Sequence, residues 1–454
     1  MVTPGICIAA AASGTGKTTI ATGLIAALAR RCTVAPFKVG PDYIDPGYHT
    51  IAAGRVGRNL DSVMCGLERI GPLYAHGSEG ADLSVVEGVM GLFDGRIPDG
   101  AGSTADVAAA LGLPVILIVD VRGMSQSAGA LVRGFAMARS DVRIAGVILN
   151  QAGTERHAKV CKDAVEAEGI PVVGIVPRMD KVEVPSRHLG LVTAAEQGGA
   201  AVEAVQRMAD LVEQHCDLDA IVSMAHTTYS SEAWDPSAVV DHVGHARVAM
   251  AGGPVFTFAY AEHQELLEAC GAEVVHFDPL QDAFPECDAL IIPGGFPEEH
   301  VEALSSRADM REAIRKHVAS GKAVHGECAG LLWLLESLDA HSMLGVIPTH
   351  AAMGRRLTLG YREAVALHDS LLYRSGERVI GHEFHHTALT DNEVSGWHSA
   401  WGWRAWDGKP KREGFVHGAV HASYLHVHPA AVPQAVQRLV EYACKNDAPN
   451  VLCS

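Results

Sequence analysis

The first half of the chain sets six short, nearly continuous apolar runs between longer helical stretches. The runs are "GICIAAA" (5–11), "VAPFKVG" (34–40), "LSVVEG" (83–88), "PVILIVDV" (114–121), "IAGVILN" (144–150) and "IPVVGIVP" (170–177). Ala- and Leu-rich segments such as 17–31 and 125–139 lie between them. Strands this apolar must be covered on both faces, and intervening helices make their pairing parallel. The pattern loosens over 214–245, a polar stretch rich in His and Ser, and then restarts with 246–252, 272–277, 289–295 and 322–330. Further runs follow at 378–384 and 418–428, with a closing helix over 432–444. The expectation is two α/β domains, 1–215 and 246–454, joined by a linker over 216–245. A length of 454 residues is too great for one ordinary core.

The first run opens into "SGTGKTT" (13–19), a Gly-rich turn between a strand and a helix. Such a turn presents backbone N–H groups and a helix N-terminus to a polyphosphate. The usual spacing is G-x-x-x-x-G-K-[ST], and here the first glycine is replaced by Ala11, which is tolerable where φ is negative. Ser13, Gly14, Thr15, Gly16, Lys17 and Thr18, with Lys38 from the second strand, are the candidate ATP-binding residues. Lys17 is placed to reach the β- and γ-phosphates, and Thr18 to ligate Mg²⁺. Three more pieces lie at the ends of strands, where open α/β sheets gather ligands. "FKVGPDYIDPGYH" (37–49) contributes Lys38, Asp42 and Asp45, "VEGVMGLFDG" (86–95) contributes Glu87 and Asp94, and "VDVRG" (119–123) contributes Asp120. Carboxylates at this edge, Glu87 and Asp45 among them, are candidate Mg²⁺ ligands with Thr18. Taken one at a time, each is as readily a capping or loop residue.

In the second half, "AVHGECAGLLWLLESL" (323–338) reads as strand, sharp bend and helix, with Cys328 at the bend. Flanking glycines permit a crowded turn that lifts the side chain off the sheet, and the helix N-terminus favours a thiolate. A nucleophilic thiol needs a base, and "VHASYLHVHP" (420–429) supplies His426 and His428, which share a face if the segment is a strand. The Gly294–Gly295 turn in "IIPGGFPEEH" (291–300) is a candidate source of oxyanion N–H donors. A lone cysteine of this kind is ordinarily a buried structural thiol; the bend, the Gly-Gly turn and the late histidines together argue for chemistry.

Composition removes several classes of function. A net charge of -17 argues against a general nucleic-acid or membrane-surface binder. The ten cysteines form no C-x-x-C pair, which argues against a zinc knuckle, and they read as reduced thiols of a cytoplasmic protein. No apolar run approaches the ~20 residues that span a bilayer. The apolar N-terminal stretch lacks the basic start of a signal peptide.

Together these motifs resemble the cobyrinate a,c-diamide synthase family, which amidates two side chains of a corrin precursor. "SGTGKTT", "GPDYIDPGYH", "VEGVMGLFDG", "GSTADVAAALGLPVILIVD", "VPSRHLGLV", "GECAGLLWL" and "HASYLHVH" carry the resemblance, which spans nearly the whole chain. It implies a dethiobiotin-synthetase-like phosphate-loop ATPase followed by a class I glutamine amidotransferase domain. It also implies Cys328 as the glutaminase nucleophile and the "SYLH" histidine, His426, as its base. Asp42, Tyr43, Ile44, Glu87 and Asp94 are implied around ATP, Mg²⁺ and the substrate carboxylate. Class I enzymes usually read His-x-Glu, and here His428 stands in place of that glutamate. The expected partners are L-glutamine and cobyrinic or hydrogenobyrinic acid, with no nucleic acid and no membrane, and assembly as a homodimer is admitted. Nickel-sirohydrochlorin a,c-diamide synthase and cobyric acid synthase are the alternatives on the same scaffold. A non-catalytic partitioning ATPase would carry a similar loop but has no use for Cys328.

Overall fold

The computed structural model describes residues 2–178 and 199–446, so the "VPSRHLGLV" stretch (184–192) lies outside the described residues. The chain divides into two compact units, Met1–Trp234 and Asp235–Ser454. The first is built on seven strands: β1 (Gly5–Ala10), β2 (Val34–Val39), β3 (Arg58–Leu60), β4 (Leu83–Glu87), β5 (Val115–Asp120), β6 (Ile144–Ala152) and β7 (Val172–Pro177). Their spatial order is β3-β2-β4-β1-β5-β6-β7, and all their pairings are parallel. β1, β2 and β4 are buried at every position, which is why they read as unbroken apolar runs. β3 has only three residues, Arg-Asn-Leu, and carries no such signal.

Helix α1 (Lys17–Ala29) follows β1 directly and is buried along nearly its whole length, as a helix apolar all round should be. It lies between the sheet and the helix Gly199–His215. Their approach is so close that a Cβ on Gly23 would fall 2.4 Å from the Met208 carbonyl oxygen. The stretch 216–234, expected to link the halves, instead runs back along this unit. His226 exchanges backbone hydrogen bonds with Gly5, Thr228 N donates to Leu111 O, and Trp234 N donates to Pro72 O. Polar composition suggested a linker; paired backbone groups and the buried Trp234 ring hold the segment down.

In the second unit, β8 (Ala246–Ala251), β9 (Ala272–Phe277), β10 (Ala289–Ile292) and β11 (Ala323–Glu327) form a parallel sheet. Val420–Ser423 extends it in parallel beside β11, and Phe415–His417 closes that edge in antiparallel pairing. Trp333, Phe256, Leu290 and Leu331 are among the buried side chains of its core. A separate sheet is built on the antiparallel pair Ile347–Ala366 and Arg378–Leu389. Only the second of these strands was legible as 378–384. The strand expected over 418–428 stops at Ser423, because the Glu413 carboxylate takes Ser423 Oγ at 2.7 Å and Tyr424 N at 2.7 Å.

The α1 contact gives a direct test of the packing. Gly23→Ala forces a methyl into the Met208 backbone and is expected to destabilise the first unit by about 1–3 kcal/mol. Urea denaturation followed by circular dichroism reads this as a lowered midpoint; an unchanged midpoint contradicts the packing described.

Candidate active sites

The first site lies at the carboxyl ends of β1, β2 and β4. The loop after β1 turns at Gly14 and Gly16, with φ of 76° and 90°, while Ala11 is not among the positive-φ residues. The missing first glycine is thus not required by backbone conformation. Ser13 and Gly14 are exposed at the tip, and Thr15 Oγ1 donates to Ala12 O. Asn150, at the end of β6, donates from Nδ2 to Thr15 O at 2.8 Å and packs on Gly16. Lys17 is buried and donates to Met90 O at 3.1 Å. Burial, with Lys38 nearby, lowers its pKa.

Beneath the loop is a buried cluster of acids and cations. Thr18 Oγ1 bridges Glu87 Oε1 at 2.8 Å and Asp45 Oδ2 at 3.2 Å. Lys38 Nζ lies 2.5 Å from Asp45 Oδ2 and 2.9 Å from Glu87 Oε1, with Asp42 Oδ2 at 3.9 Å. His49 Nε2 takes the other Glu87 oxygen at 2.7 Å. Burial acts against a charged Lys38, yet Asp45, Glu87 and Asp42 hold its ammonium above the usual lysine value. Burial likewise acts against the Glu87 carboxylate, and Lys38 with His49 more than offsets it, so Glu87 stays below its usual range. Asp45 goes the other way: burial, reinforced by Asp42, pushes it up to about 7.

The remaining acids at this edge are structural partners of nearby backbone or of arginine. Asp42 Oδ1 accepts from Ile44 N and Asp45 N, opening the helix α2 (Asp45–Ala53), and Tyr43 and Ile44 are buried there. Asp94 accepts from Gly91 N at 3.0 Å and shapes the loop that carries Met90. Asp120 is paired with Arg122. The cluster therefore gathers Thr18, Lys38, Asp45 and Glu87, with Asp42 at its rim. Its hydroxyl and carboxylate oxygens are hard donors of the kind Mg²⁺ takes alongside phosphate oxygens and water. His49 and Asn150 are not singled out in the sequence: His49 closes the "GPDYIDPGYH" stretch, but nothing in that stretch says which of its side chains meets Glu87, and Asn150 lies outside every motif.

At the second site β11 ends at Glu327, Cys328 turns at φ 51° and ψ −99°, and the helix Ala329–Leu334 begins. A non-glycine residue held in this region stores of order 1–3 kcal/mol of strain, a pattern that clusters at functional sites. The two flanking glycines provide room. A Cβ on Gly330 would fall 2.1 Å from Ile292 O, and one on Gly326 would fall 2.7 Å from Leu334 Cδ1. Cys328 N donates to Ser423 O at 2.7 Å, which anchors the bend to the neighbouring strand.

His426 is fully buried, and its backbone pairs with His382. Its Nδ1 lies 2.7 Å from Glu327 Oε1. Burial opposes a charged imidazole here, but Cys328 and Glu327 prevail and raise His426 to about 10. His428 is turned elsewhere: its ring sits 4.2 Å from that of Tyr260, and its Nε2 is 4.0 Å from Glu262 Oε2. Because the strand ends at Ser423, the two histidines do not share a face. A Cβ on Gly294 would fall 2.5 Å from His426 Cε1, so the Gly-Gly turn borders the same imidazole, while Gly295 packs on Val255 O.

The His426 shift can be measured. Its folded value stands above the usual 6.5, so the proton it keeps stabilises the fold below about pH 6.5, and that contribution is lost as pH rises through about 10. Nuclear magnetic resonance of the imidazole is expected to show His426 protonated at pH 7.5 and titrating at lower pH in Cys328→Ala. A wild-type His426 titrating near 6.5 contradicts the pairing.

No helix among the described residues is long and apolar enough to cross a membrane. Residues 6–192 match the CobQ/CobB/MinD/ParA nucleotide binding domain, and residues 247–433 match the CobB/CobQ-like glutamine amidotransferase domain. The chain is 54% identical to the hydrogenobyrinate a,c-diamide synthase of Mycobacterium bovis, an alignment covering 97% of this chain and 98% of that one. It is 49% identical to the protein of the same name from Streptomyces coelicolor, over 96% and 97% of the two chains. Identity to the cobyrinate a,c-diamide synthase of Picrophilus torridus is 37%, over 97% and 99%. A phosphate-loop unit followed by a cysteine-bend unit, with identity running almost end to end, makes this chain a member of the hydrogenobyrinate and cobyrinate a,c-diamide synthase family.

Proposed function

We propose that the chain uses ATP and L-glutamine to convert the a and c side-chain carboxylates of hydrogenobyrinic acid into amides, a step of cobalamin biosynthesis. One observation carries this reading above the rest: a phosphate loop over a buried Lys38–Asp45–Glu87 cluster and a Cys328–His426 pair occur in the same chain. A partitioning ATPase needs the first and has no use for the second. The metal-free acid is favoured because the relatives named for it are 54% and 49% identical, against 37% for the one named for cobyrinate. The setting is cytoplasmic, involves neither nucleic acid nor membrane, and is open to assembly as a homodimer.

A carboxylate resists attack by ammonia because oxide is a poor leaving group. Transfer of the γ-phosphoryl group of ATP to the substrate carboxylate gives an acyl phosphate, whose phosphate leaves readily. The backbone amides of residues 13–17 and the Lys17 ammonium face the charge that builds during transfer. Thr18, with Asp45 and Glu87, would hold Mg²⁺, which supplies charge neutralisation on the phosphates. Lys38 balances the two acids, so the site does not set uncompensated carboxylates against the incoming polyphosphate. Asp42, Tyr43 and Ile44 border the substrate carboxylate, and Asp94 acts by shaping the loop that holds Lys17.

In the second unit the Cys328 thiolate attacks the side-chain amide carbon of glutamine. The Gly294–Gly295 turn offers N–H donors to the developing oxyanion. His426 gives its proton to the departing nitrogen, ammonia leaves, and a thioester remains. Water, losing a proton to His426, hydrolyses the thioester to glutamate and restores the thiol. The ammonia then displaces phosphate from the activated acid.

Cys328→Ala tests the division of labour. Glutamine-driven amidation is expected to fall by at least about 10³-fold while amidation driven by added ammonium chloride persists. A folded variant that fails with ammonia overturns the two-site reading. ADP formation with metal-free and cobalt-bearing acids, compared at equal concentration, tests the substrate; faster turnover of the cobalt-bearing acid overturns the preference stated here.

A further inference from the structure

An imidazole that carries a proton from a thiol to a leaving amine works when its far nitrogen is held by an acceptor, which fixes tautomer and orientation. Two residues beyond His426, where a carboxylate would be expected, stands His428, and it faces Tyr260 and Glu262. We propose that Glu327, the residue immediately before Cys328, is the positioning residue for His426, so that one bend supplies both the nucleophile and the carboxylate that orients its base. The proposal rests on the glutaminase reading of Cys328 given above.

The geometry is that of a two-point clamp. Glu327 Oε1 lies 2.7 Å from His426 Nδ1, and Oε2 accepts from Val427 N at 3.3 Å. Neighbours in an extended strand point to opposite faces. The left-handed backbone at Cys328 breaks that alternation and lets residues 327 and 328 act on the same imidazole. Both influence it, Cys328 the more strongly.

The groups around the clamp leave this role to Glu327. Of the nearby carboxylates, Glu413 is taken by Ser423 and Tyr424, and Glu383 by Arg362. Glu262 lies toward His428. His325 and His263 also lie close enough to influence Glu327, but burial pushes them down to about 3 and about 4, so neither is a cation at neutral pH. His382, the other imidazole near His426, is likewise pushed down by burial, to about 3. Phe258 adds an aromatic wall. The cation that Glu327 meets is therefore His426. His426 holds the proton given up by the Cys328 thiol and passes it to the leaving nitrogen, while Nδ1–H stays on the ring and Glu327 remains ionised throughout.

Both partners of Glu327 are donors, so a carboxylate satisfies them and an amide matches only one. Glu327→Gln in the full chain is expected to lower kcat for glutamine hydrolysis by about 10²- to 10⁴-fold, with KM for glutamine little changed. Glu327→Asp, which keeps the charge at shorter reach, is expected to recover at least about tenfold over Gln. Ammonia-driven amidation is expected to match the wild type in both variants. The pH at which His426 loses its proton is expected to fall in Glu327→Gln and to fall less in Glu327→Asp, which serves if the Gln variant does not fold.

A Glu327→Gln kcat within about threefold of wild type overturns the proposal, as does an Asp variant no better than Gln. Parallel loss of glutamine- and ammonia-driven activity overturns it too, since it marks a merely structural residue. Cys328→Ala that still hydrolyses glutamine overturns instead the glutaminase reading beneath it, so the two failures are distinguishable.

Discussion

A parallel strand can deliver its last side chains only to the edge where its neighbours also end, and both units depend on that constraint. In the first, β1, β2 and β4 lie side by side, so the phosphate loop, Lys38 and Glu87 arrive together although they are far apart in sequence. In the second, β10 and β11 end beside Val420–Ser423, which brings the Gly294 turn, the Cys328 bend and His426 to one place. Chemistry is assembled by topology first and by side-chain contacts second.

The contacts then solve a shared electrostatic problem. An isolated ion costs several kcal/mol to bury, and both sites bury several. Lys38 stands between Asp45 and Glu87, and His49 takes the remaining Glu87 oxygen, so the acids beneath the loop are compensated. Around Cys328 the compensation is finer. His426 is held between a thiol and a carboxylate, while His325, His263 and His382 are kept neutral by burial. The strained backbone at Cys328 is tolerated because Gly326 and Gly330 give room and Ser423 O fixes the bend.

Much of this was legible in the sequence. Near-continuous apolar runs marked the buried strands, and Lys17 and Cys328 sat in bends whose glycines announce crowding. What stayed hidden depended on contacts across the fold. Glu327 reads as the last residue of a strand, and only the turn at Cys328 lets it meet His426. His426 and His428 looked equivalent because alternation assumes a continuing strand, and a side-chain hook from Glu413 ends that strand at Ser423. The long strand Ile347–Ala366 was missed because much of it is exposed, and its arginines interrupt the apolar rhythm. Asn150 serves the phosphate loop from a strand without a motif, and His49, though it closes "GPDYIDPGYH", shows its partner Glu87 only once its helix and β4 are brought together.

The central claim is that phosphate from one site and nitrogen from the other meet on the same carboxylate. It is tested most directly by supplying the purified chain with ATP, hydrogenobyrinic acid and glutamine labelled with ¹⁵N at the side-chain amide. Product mass, ADP and glutamate are then measured together. The account predicts a diamide carrying two ¹⁵N atoms, with one ADP and one glutamate formed per amide. ADP formed without amide, or glutamate released while the corrin stays unlabelled, would contradict it.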